Sequence, residues 1–340
     1  MDPPRWLVDY YCTTADVLSP ACGFAVAVSA VVLLSMYRDM ADTVTVRVSG
    51  MLGLTDALYQ VCQLVARELA VKPSQQNHDT AAARVFAFAP YFLRLLNVLL
   101  VNRVALDLET HFLGWFSCSR SLRWLLRHYV CASFAAALAL SLPLLFAPAR
   151  FDPTFRYAEW TFGSTTRDIL YMVLSFYVWV GLLLLNFAAV IVGVVVRLRV
   201  RLPSAANPAS SLSTHVMRSL EHHMRRKARI LLLYPLSPIL FYAPALAFSW
   251  VQVLRLNRTR TTRALWVTSV LLGPLQAPYD LAIFALLPPV QRVAGWYWAL
   301  HKDSDESPLI GGSRRESLGA TLTSEEAWIQ DMADAFARPS

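Results

Sequence analysis

Little of this chain is charged. Charged residues make up 16% of its 340 residues and hydrophobic residues 56%, whereas a soluble protein carries about 25% charged residues. A soluble fold this apolar would expose patches that drive association, so a lipid-facing surface is the simpler explanation. The five cysteines are sparse and odd in number, which excludes a secreted disulfide scaffold, and the composition excludes collagen and intrinsic disorder. The sequence therefore predicts an integral membrane protein.

Seven apolar stretches have the length of about 20 residues that a membrane-crossing helix needs. We predict an all-α, seven-transmembrane helix bundle with spans at about 17–37, 46–70, 85–106, 129–147, 169–196, 230–254 and 264–287. The first span is not a cleavable signal peptide, because its leader is acidic and its apolar stretch is too long. The third is expected to be the least hydrophobic, since it contains Arg94, Asn97, Asn102 and Arg103.

The distribution of basic residues predicts the orientation, because lysine and arginine resist translocation. They are more numerous in the segments that follow the first, third, fifth and seventh spans, which places the N-terminus outside and the C-terminus in the cytoplasm. Residues 1–16 are then an extracellular N-terminus and 301–340 a cytoplasmic tail of a multi-pass plasma-membrane protein. The net charge of +8 forms a collar beside anionic lipid headgroups or an acidic partner protein, and requires no nucleic acid. A glycosylation sequon at Asn257 falls in an outer loop, as this orientation requires.

Ionisable side chains inside the spans are expensive and mark candidate functional sites. Asp56 in span two, Asn97 in span three and Asp280 in span seven fall at similar depths. Arg94 shares a helix face with Asn97, so either could pair with Asp56. The simpler interpretation is a structural polar cluster that fixes helix register. The alternative is a switch that repacks, or a cation site.

Span six contains three prolines directly after a basic cluster. Pro235, Pro238 and Pro244 each remove a backbone hydrogen bond, and the pair Tyr234-Pro235 is therefore a candidate hinge. Prolines are common in membrane helices, so simple packing is the alternative. Aromatic residues near the outer ends are first of all anchors at the membrane interface. Together with deeper side chains they are also candidates for lining an outward-facing ligand cavity, namely Tyr91, Arg94, Trp160, Tyr171, Trp250 and Trp266.

Two segments resemble a known receptor family. Leu231-Leu232-Leu233-Tyr234-Pro235-Leu236 after the basic cluster, and Gly273-Pro274-Leu275-Gln276 followed by an apolar run to Phe284, resemble fungal glucose-sensing receptors and slime-mould cyclic-AMP-receptor-like proteins. The resemblance implies a G-protein-coupled receptor that passes an extracellular nutrient or small-molecule signal to a heterotrimeric G protein, typically towards cyclic AMP, with no cofactor and no enzyme activity. The residues implied to face the G protein are Arg120, Arg123, Arg225, Arg226, Lys227 and Arg229.

The sequence departs from rhodopsin-like receptors at three places. Leu106-Asp107-Leu108-Glu109-Thr110 stands where those receptors carry Asp/Glu-Arg-Tyr, and Ala277-Pro278-Tyr279-Asp280 where they carry Asn-Pro-x-x-Tyr. No cysteine occurs between Cys62 and Cys118, so the usual bridge from span three to the second outer loop cannot form. A bridge between Cys12 and Cys22, which both lie on the outer side, is left open.

The segment after span seven turns at Pro288-Pro289 and is expected to lie as a helix on the inner membrane face over 288–300. In the tail, Arg314-Arg315-Glu316-Ser317 matches the pattern of basophilic kinases, which makes Ser317 a candidate phosphorylation site. A last amphipathic helix capped by Ser324 and disorder are nearly equal expectations for the C-terminus.

Two other functions remain open from the sequence. A small transporter or channel could use Asp56, Arg94 and Asp280 to line a path, but the halves of the chain show no internal repeat of the kind found in transporters. A membrane lipid enzyme would need clustered histidines. The seven histidines are mostly scattered, apart from the pair His222 and His223.

Overall fold

The computed structural model describes residues 6–7, 10, 13–37, 44–70, 79–113, 128–152, 157–160, 173–200, 211–253, 260–295 and 297. The helices in these ranges are α1 (Ser19–Met36), α2 (Val44–Ala70), α3 (Ala81–Leu108), α4 (Tyr129–Ser141), α5 (Val178–Val200), α6 (Ser211–Val253), α7 (Arg260–Leu272) and α8 (Gln276–Leu286). Short π-helical turns cover Thr14–Leu18, Glu109–Leu113 and Val173–Tyr177, and 3-10 turns cover Leu142–Phe146 and Gly273–Leu275.

The prediction of an all-α bundle with seven membrane spans is confirmed. The seventh span consists of α7 and α8, joined by the turn Gly273–Leu275. Six of the seven spans are long and apolar enough to cross a membrane when length and composition alone are considered. The outward faces are apolar, with Val31 on α1 66% exposed and Leu185 on α5 69% exposed. Such residues suit lipid rather than water, and the chain is a multi-pass membrane protein.

The expectation that the third span is the least hydrophobic is wrong. α3 is among the six apolar helices, whereas α2 has 27 residues but does not reach the same hydropathy. Asn97 and Arg103 of α3 are buried inside the bundle, and the aliphatic residues around them outweigh their polarity. α2 carries Arg47, Asp56 and Glu68 within its span, so it depends on its neighbours more than the other helices do.

Glycines allow α1 and α2 to approach closely. A Cβ placed on Gly23 would lie 2.7 Å from the carbonyl oxygen of Gly53 and 2.9 Å from the backbone nitrogen of Ala57. A Cβ on Gly53 would lie 2.7 Å from Cβ of Val26. Small residues at such positions let membrane helices pack through their backbones, and this contact holds Asp56 on α2 facing the bundle interior.

Prolines act differently in the last two spans. α6 is continuous for 43 residues through Pro235, Pro238 and Pro244, whereas the seventh span breaks into a 3-10 turn at Pro274. After α8, Leu287 is extended with ψ 133° and a helix resumes over 288–295. Arg226 of α6 donates a hydrogen bond to Gln291 at 2.7 Å, which ties this helix to α6. Its placement on a membrane surface stays a prediction.

A β-hairpin between α4 and α5 is the one sheet among the described residues. Strand β1 (Ala149–Asp152) pairs antiparallel with β2 (Tyr157–Trp160), with Ala149 opposite Trp160, and the hairpin packs against α2 and α3. Asp79 anchors it, because its Oδ1 accepts a hydrogen bond of 3.0 Å from the backbone N–H of Ala149 and its carboxylate pairs with Arg84. Cys22 is a buried free thiol in α1, and Cys12, its possible bridge partner, lies outside the described residues.

The close approach of α1 and α2 predicts the effect of adding one methyl group. An alanine normally stabilises a helix by up to about 1 kcal/mol relative to glycine, but Gly23→Ala places its Cβ against backbone atoms that cannot move aside. We expect a loss of about 1–3 kcal/mol, measured as a lower thermal unfolding midpoint in detergent. Gly181→Ala is the matched control, because among the described residues the nearest atom to its Cβ is a side-chain carbon of Leu246 at 3.9 Å. Equal midpoints for the two variants would contradict the packing.

The anchor at Asp79 predicts a pH dependence. Hydrogen bonds from Arg84 first, and then from the Ala149 backbone N–H, lower the pKa of Asp79 to about 2. The anchor therefore stabilises the fold above the ordinary aspartate pKa of about 4, and the contribution disappears as the pH falls towards 2. We expect Asp79→Ala to lower the unfolding midpoint at pH 7 and to converge with the unsubstituted protein near pH 2. Glu68→Ala, which removes an exposed carboxylate of α2, is the control. Identical midpoints of Asp79→Ala and the parent at pH 7 would reject the anchor.

Candidate functional site

A chain of hydrogen bonds joins four helices in the middle of the bundle. Asn97 of α3 donates to Oδ1 of Asp56 at 2.8 Å, and its own carbonyl oxygen accepts from the side-chain amide of Gln276 on α8 at 3.1 Å. Ser237 of α6 donates to Oδ1 of Asp280 at 3.2 Å. Asp56, Asn97 and Asp280 are only 7%, 1% and 4% exposed. We call these five residues the polar cluster.

Two carboxyl groups lie side by side in this cluster. Asp56 and Asp280 are close enough to interact with each other, and no other N–H or O–H group of the described residues donates to the buried Oδ2 of either. Two adjacent carboxylates cannot both be ionised cheaply away from water. The pair therefore requires a shared proton or a positively charged group, and either one would change how α2 and α8 attract each other.

Of the two partners that the sequence offers to Asp56, the structure shows Asn97. Arg94 instead donates to the hydroxyl of Tyr59 on α2, and its guanidinium carbon lies 4.7 Å from the centroid of that ring. The contact is a cation–π interaction combined with a hydrogen bond. Arg94 therefore brings a positive charge into the bundle about one helical turn away from the level of Asn97.

Tyr234 continues the polar contacts along α6. It is almost fully buried, and its hydroxyl lies 2.5 Å from the hydroxyl of Ser49 on α2. The Ser49 hydroxyl donates to the carbonyl oxygen of Thr45 at 2.7 Å, so Tyr234 is the donor of the pair. Pro235 is buried beside it, and the predicted switch residues thus lie on facing sides of α2, α3, α6 and α8.

Two adjoining cavities lie near the polar cluster, whose residues line the first of them. The first, which we call the polar cavity, has a volume of about 490 Å³ and is lined by Asp56, Tyr59, Arg94, Asn97 and Gln276 among others. The second, the aromatic cavity, has a volume of about 410 Å³. Its lining residues are Tyr91, Arg94, Val98, Phe176, Tyr177, Val180, Tyr242, Ala245 and Leu246. Arg94, Tyr242 and Ala245 line both cavities, so the two adjoin.

The candidate ligand residues are only partly brought together. Tyr91 lines the aromatic cavity and Arg94 lines both cavities. Trp250 stands behind the aromatic cavity, with its ring centroid 6.3 Å from that of Tyr177. Trp266 lines neither cavity. Tyr171 and the side chain of Trp160 lie outside the described residues.

Several cavity residues were not predicted from the sequence. Phe176 stacks edge-on against Tyr91 with centroids 5.0 Å apart, and Tyr59, Tyr177 and Tyr242 complete an aromatic wall. Each looks like an ordinary apolar position of a span when only the sequence is considered. Gln276 stood inside the recognised Gly-Pro-Leu-Gln segment, but nothing in that segment indicates its contact with Asn97.

A second polar network lies farther along α3 and was also missed. The side-chain amide of Asn186 on α5 donates to Glu109 at 3.1 Å and to Asn102 at 3.2 Å. Asn102 in turn donates to the hydroxyl of Tyr129 on α4 at 3.2 Å. Glu109 is buried, so these contacts fix α3 against α4 and α5 where the Asp/Glu-Arg-Tyr triplet is missing.

Three of the six predicted G-protein contacts have side chains that the structure describes. Arg226 and Arg229 are exposed on α6 and Arg225 is half-buried beside them. Arg120, Arg123 and the side chain of Lys227 are outside the described residues, as are the candidate modification sites Asn257 and Ser317. Within the described ranges, no group of three or more histidine, cysteine or acidic residues could hold a metal ion.

Comparison with known proteins reveals the fold. The structure is similar to the crystal structure of squid rhodopsin with a TM-score of 0.58 and 11% sequence identity, over 87% of this chain and 88% of that chain. No protein-family model matches the sequence, and no curated protein matches it. The chain therefore has a rhodopsin-like seven-helix fold, and the resemblance to fungal glucose-sensing receptors stays a prediction.

The hydrogen bond between α6 and α8 predicts that two buried serines differ in how much they stabilise the fold. Ser237→Ala removes a hydrogen bond to a buried carboxyl group of another helix, which we expect to cost about 1–3 kcal/mol. Ser141→Ala is the matched control, since the equally buried Ser141 hydroxyl donates to the carbonyl of Ala137 in its own helix at 2.5 Å. Thermal unfolding in detergent measures both variants. The prediction fails where Ser141→Ala is as destabilising as Ser237→Ala.

Proposed function

We propose that this protein is a G-protein-coupled receptor, with its N-terminus outside, that transmits an extracellular small-molecule or nutrient signal across the plasma membrane. One observation carries the proposal: in a rhodopsin-like fold, a polar cluster around two buried carboxyl groups joins α2, α3, α6 and α8, and three of its members, Asp56, Asn97 and Gln276, line the polar cavity. A ligand in that cavity would contact side chains that hold the helices together.

The physical step is a change in the balance of charge around Asp56 and Asp280. The paired carboxyl groups need a compensating proton or cation, and a ligand that alters this compensation favours one arrangement of the helices over another. A ligand shifts such an equilibrium only by its difference in affinity for the two states. The hydrogen bond from Ser237 carries the change to α6, and Tyr234 carries it to α2.

The cytoplasmic end of α6 is then the part of the receptor that contacts the G protein. Arg225, Arg226, Lys227 and Arg229 continue that helix as a basic segment, which suits an acidic surface on a heterotrimeric G protein. Arg120 and Arg123 are proposed to join them from the loop after α3. The resemblance to fungal glucose-sensing receptors favours a cyclic-AMP pathway downstream, and Ser317 in the tail is a proposed kinase site.

A small transporter or channel is the second candidate. It is favoured by the same two carboxyl groups together with Arg94, because charged groups in the middle of a membrane bundle mark ion and substrate pathways. The two candidates differ in their readout. A transporter reconstituted in proteoliposomes gives flux that disappears in Asp56→Asn, whereas a receptor gives nucleotide exchange on a Gα subunit without flux.

The receptor proposal predicts the effect of removing one buried carboxyl group. With the full chain and a co-expressed Gα, we expect Asp56→Asn to change guanine-nucleotide exchange at least about tenfold at equal surface expression, since a hydrogen-bonded buried charge contributes about 1.5–3 kcal/mol. Glu68→Gln makes the same chemical change at an exposed position of α2 and should leave exchange unaltered. If Asp56→Asn leaves nucleotide exchange unchanged, Asp56 is not part of the switch. Absence of exchange with every host Gα, across sugars, amino acids and other small nutrients, contradicts the receptor.

A further inference from the structure

The seventh span is interrupted next to the polar cavity. α7 ends at Leu272 and α8 begins at Gln276, with the 3-10 turn Gly273–Leu275 between them. Pro274 has no N–H group, and the last carbonyl groups of an α-helix lack regular donors within that helix. Leu271 carries one of these carbonyl groups. Inside a membrane such a group needs a donor from elsewhere in the protein.

The donor comes from the other end of the chain. The hydroxyl of Tyr10 donates a hydrogen bond of 3.0 Å to the carbonyl oxygen of Leu271. The backbone carbonyl of Tyr10 accepts in turn from the hydroxyl of Thr14 at 2.8 Å, a bond with the i, i−4 spacing of a helical turn. Leu7 and Thr14 are both buried. The residues before α1 are therefore part of the packed bundle, and Tyr10 ties them to the seventh span beside its break.

The same two spans form one wall of the polar cavity. Ser19 of α1 and Ser269 of α7 line the cavity, together with Gly273 of the turn. The turn that precedes Ser19 contacts the turn that contains Gly273. Tyr10 precedes Ser19 along the chain, and Leu271 precedes Gly273, so the hydrogen bond between them lies next to this wall. With the N-terminus outside, it lies on the outer side.

This wall is easier to open than the wall on the side of the aromatic cavity. Its three residues have small side chains or none, and a Cβ on Gly273 would meet no atom within 4 Å among the described residues. On the other side, the ring of Phe176 has its centroid 5.0 Å from that of Tyr91 and 5.6 Å from that of Tyr177. Parting three packed rings forfeits more contacts than parting serine and glycine. Of these two sides, the easier passage therefore runs between α1 and the seventh span.

We propose that small solutes enter the polar cavity between α1 and the seventh span, and that Tyr10 closes this entrance. Its hydrogen bond to Leu271 holds α7 against the residues before α1. When that bond breaks, α7 tilts about the turn at Gly273 and the two spans part. Tyr10 does not line the cavity, so it is a positioning residue of the entrance. The proposal rests on the cavity as the ligand site of the proposed function, but not on coupling to a G protein.

The test measures how fast iodoacetamide, a small neutral thiol reagent, reaches the cavity of the full chain in lipid nanodiscs at fixed pH. Gly273→Cys supplies the reporter thiol, since a Cβ has room there. Mass spectrometry of the peptide that contains residue 273 follows its alkylation. We expect slow alkylation in this variant. Adding Tyr10→Phe, which removes only the hydroxyl group, should accelerate it about two- to tenfold, because one hydrogen bond no longer favours the closed state.

Tyr129→Phe is the matched control. The Tyr129 hydroxyl also donates to a backbone carbonyl of another helix, that of Leu99 at 2.5 Å, but it joins α4 to α3. This variant should leave alkylation at residue 273 unaltered even where it lowers the thermal unfolding midpoint, which separates a general loss of stability from opening of the entrance. If Gly273→Cys fails to fold, Ser269→Cys supplies the reporter thiol in the same cavity.

The proposal is overturned if Tyr10→Phe leaves the alkylation rate unchanged or if Tyr129→Phe accelerates it as much. It is also overturned if the reporter thiol reacts as fast as free glutathione while Tyr10 is intact. Failure of this proposal and failure of the receptor function are distinguishable. Faster alkylation in Tyr10→Phe without nucleotide exchange on any Gα keeps the entrance and rejects the receptor. Nucleotide exchange with an alkylation rate that Tyr10→Phe does not change keeps the receptor and rejects the entrance.

Discussion

The contact between Asn97 and Asp56 is the interaction on which the rest of the bundle depends. A carboxyl group this far from water destabilises the fold unless it is hydrogen-bonded, and Asn97 supplies that bond while its carbonyl oxygen accepts from Gln276. One amide side chain thus holds α2, α3 and α8 together. Because α2 is less apolar than the other spans, its transfer into lipid is less favourable. This contact and the glycine packing against α1 supply the additional stabilisation.

Much of the architecture was predictable because it depends on the average hydrophobicity of long segments. The number of spans and their approximate limits follow from apolar runs, and Asp56, Asn97 and Asp280 stood out because polar residues are expensive in lipid. These three do lie together. The ranking of spans by hydrophobicity failed for α3, because counting its polar residues overlooks the aliphatic residues around them, which outweigh Asn97 and Arg103 in the hydropathy of the helix.

The cavity was less predictable, for a physical reason. Phe176, Tyr177 and Tyr242 belong to helices that meet only after packing, and no periodicity within one helix reveals which neighbour each will face. Gln276 and Ser237 likewise acquire a role only when α6 and α8 bring them to Asn97 and Asp280. Trp266 was a candidate because it lies near the outer end of its span, but it lines neither of the two cavities.

The unbroken course of α6 has a mechanical consequence. Its 43 residues extend to about 65 Å, roughly twice the hydrocarbon thickness of a bilayer. The part from Ser211 to Tyr234 is about 36 Å long. A pivot of about 10° at Pro235 would therefore move the Ser211 end of the helix by about 6 Å, so a small displacement beside Ser237 becomes about the length of one helical turn at that end.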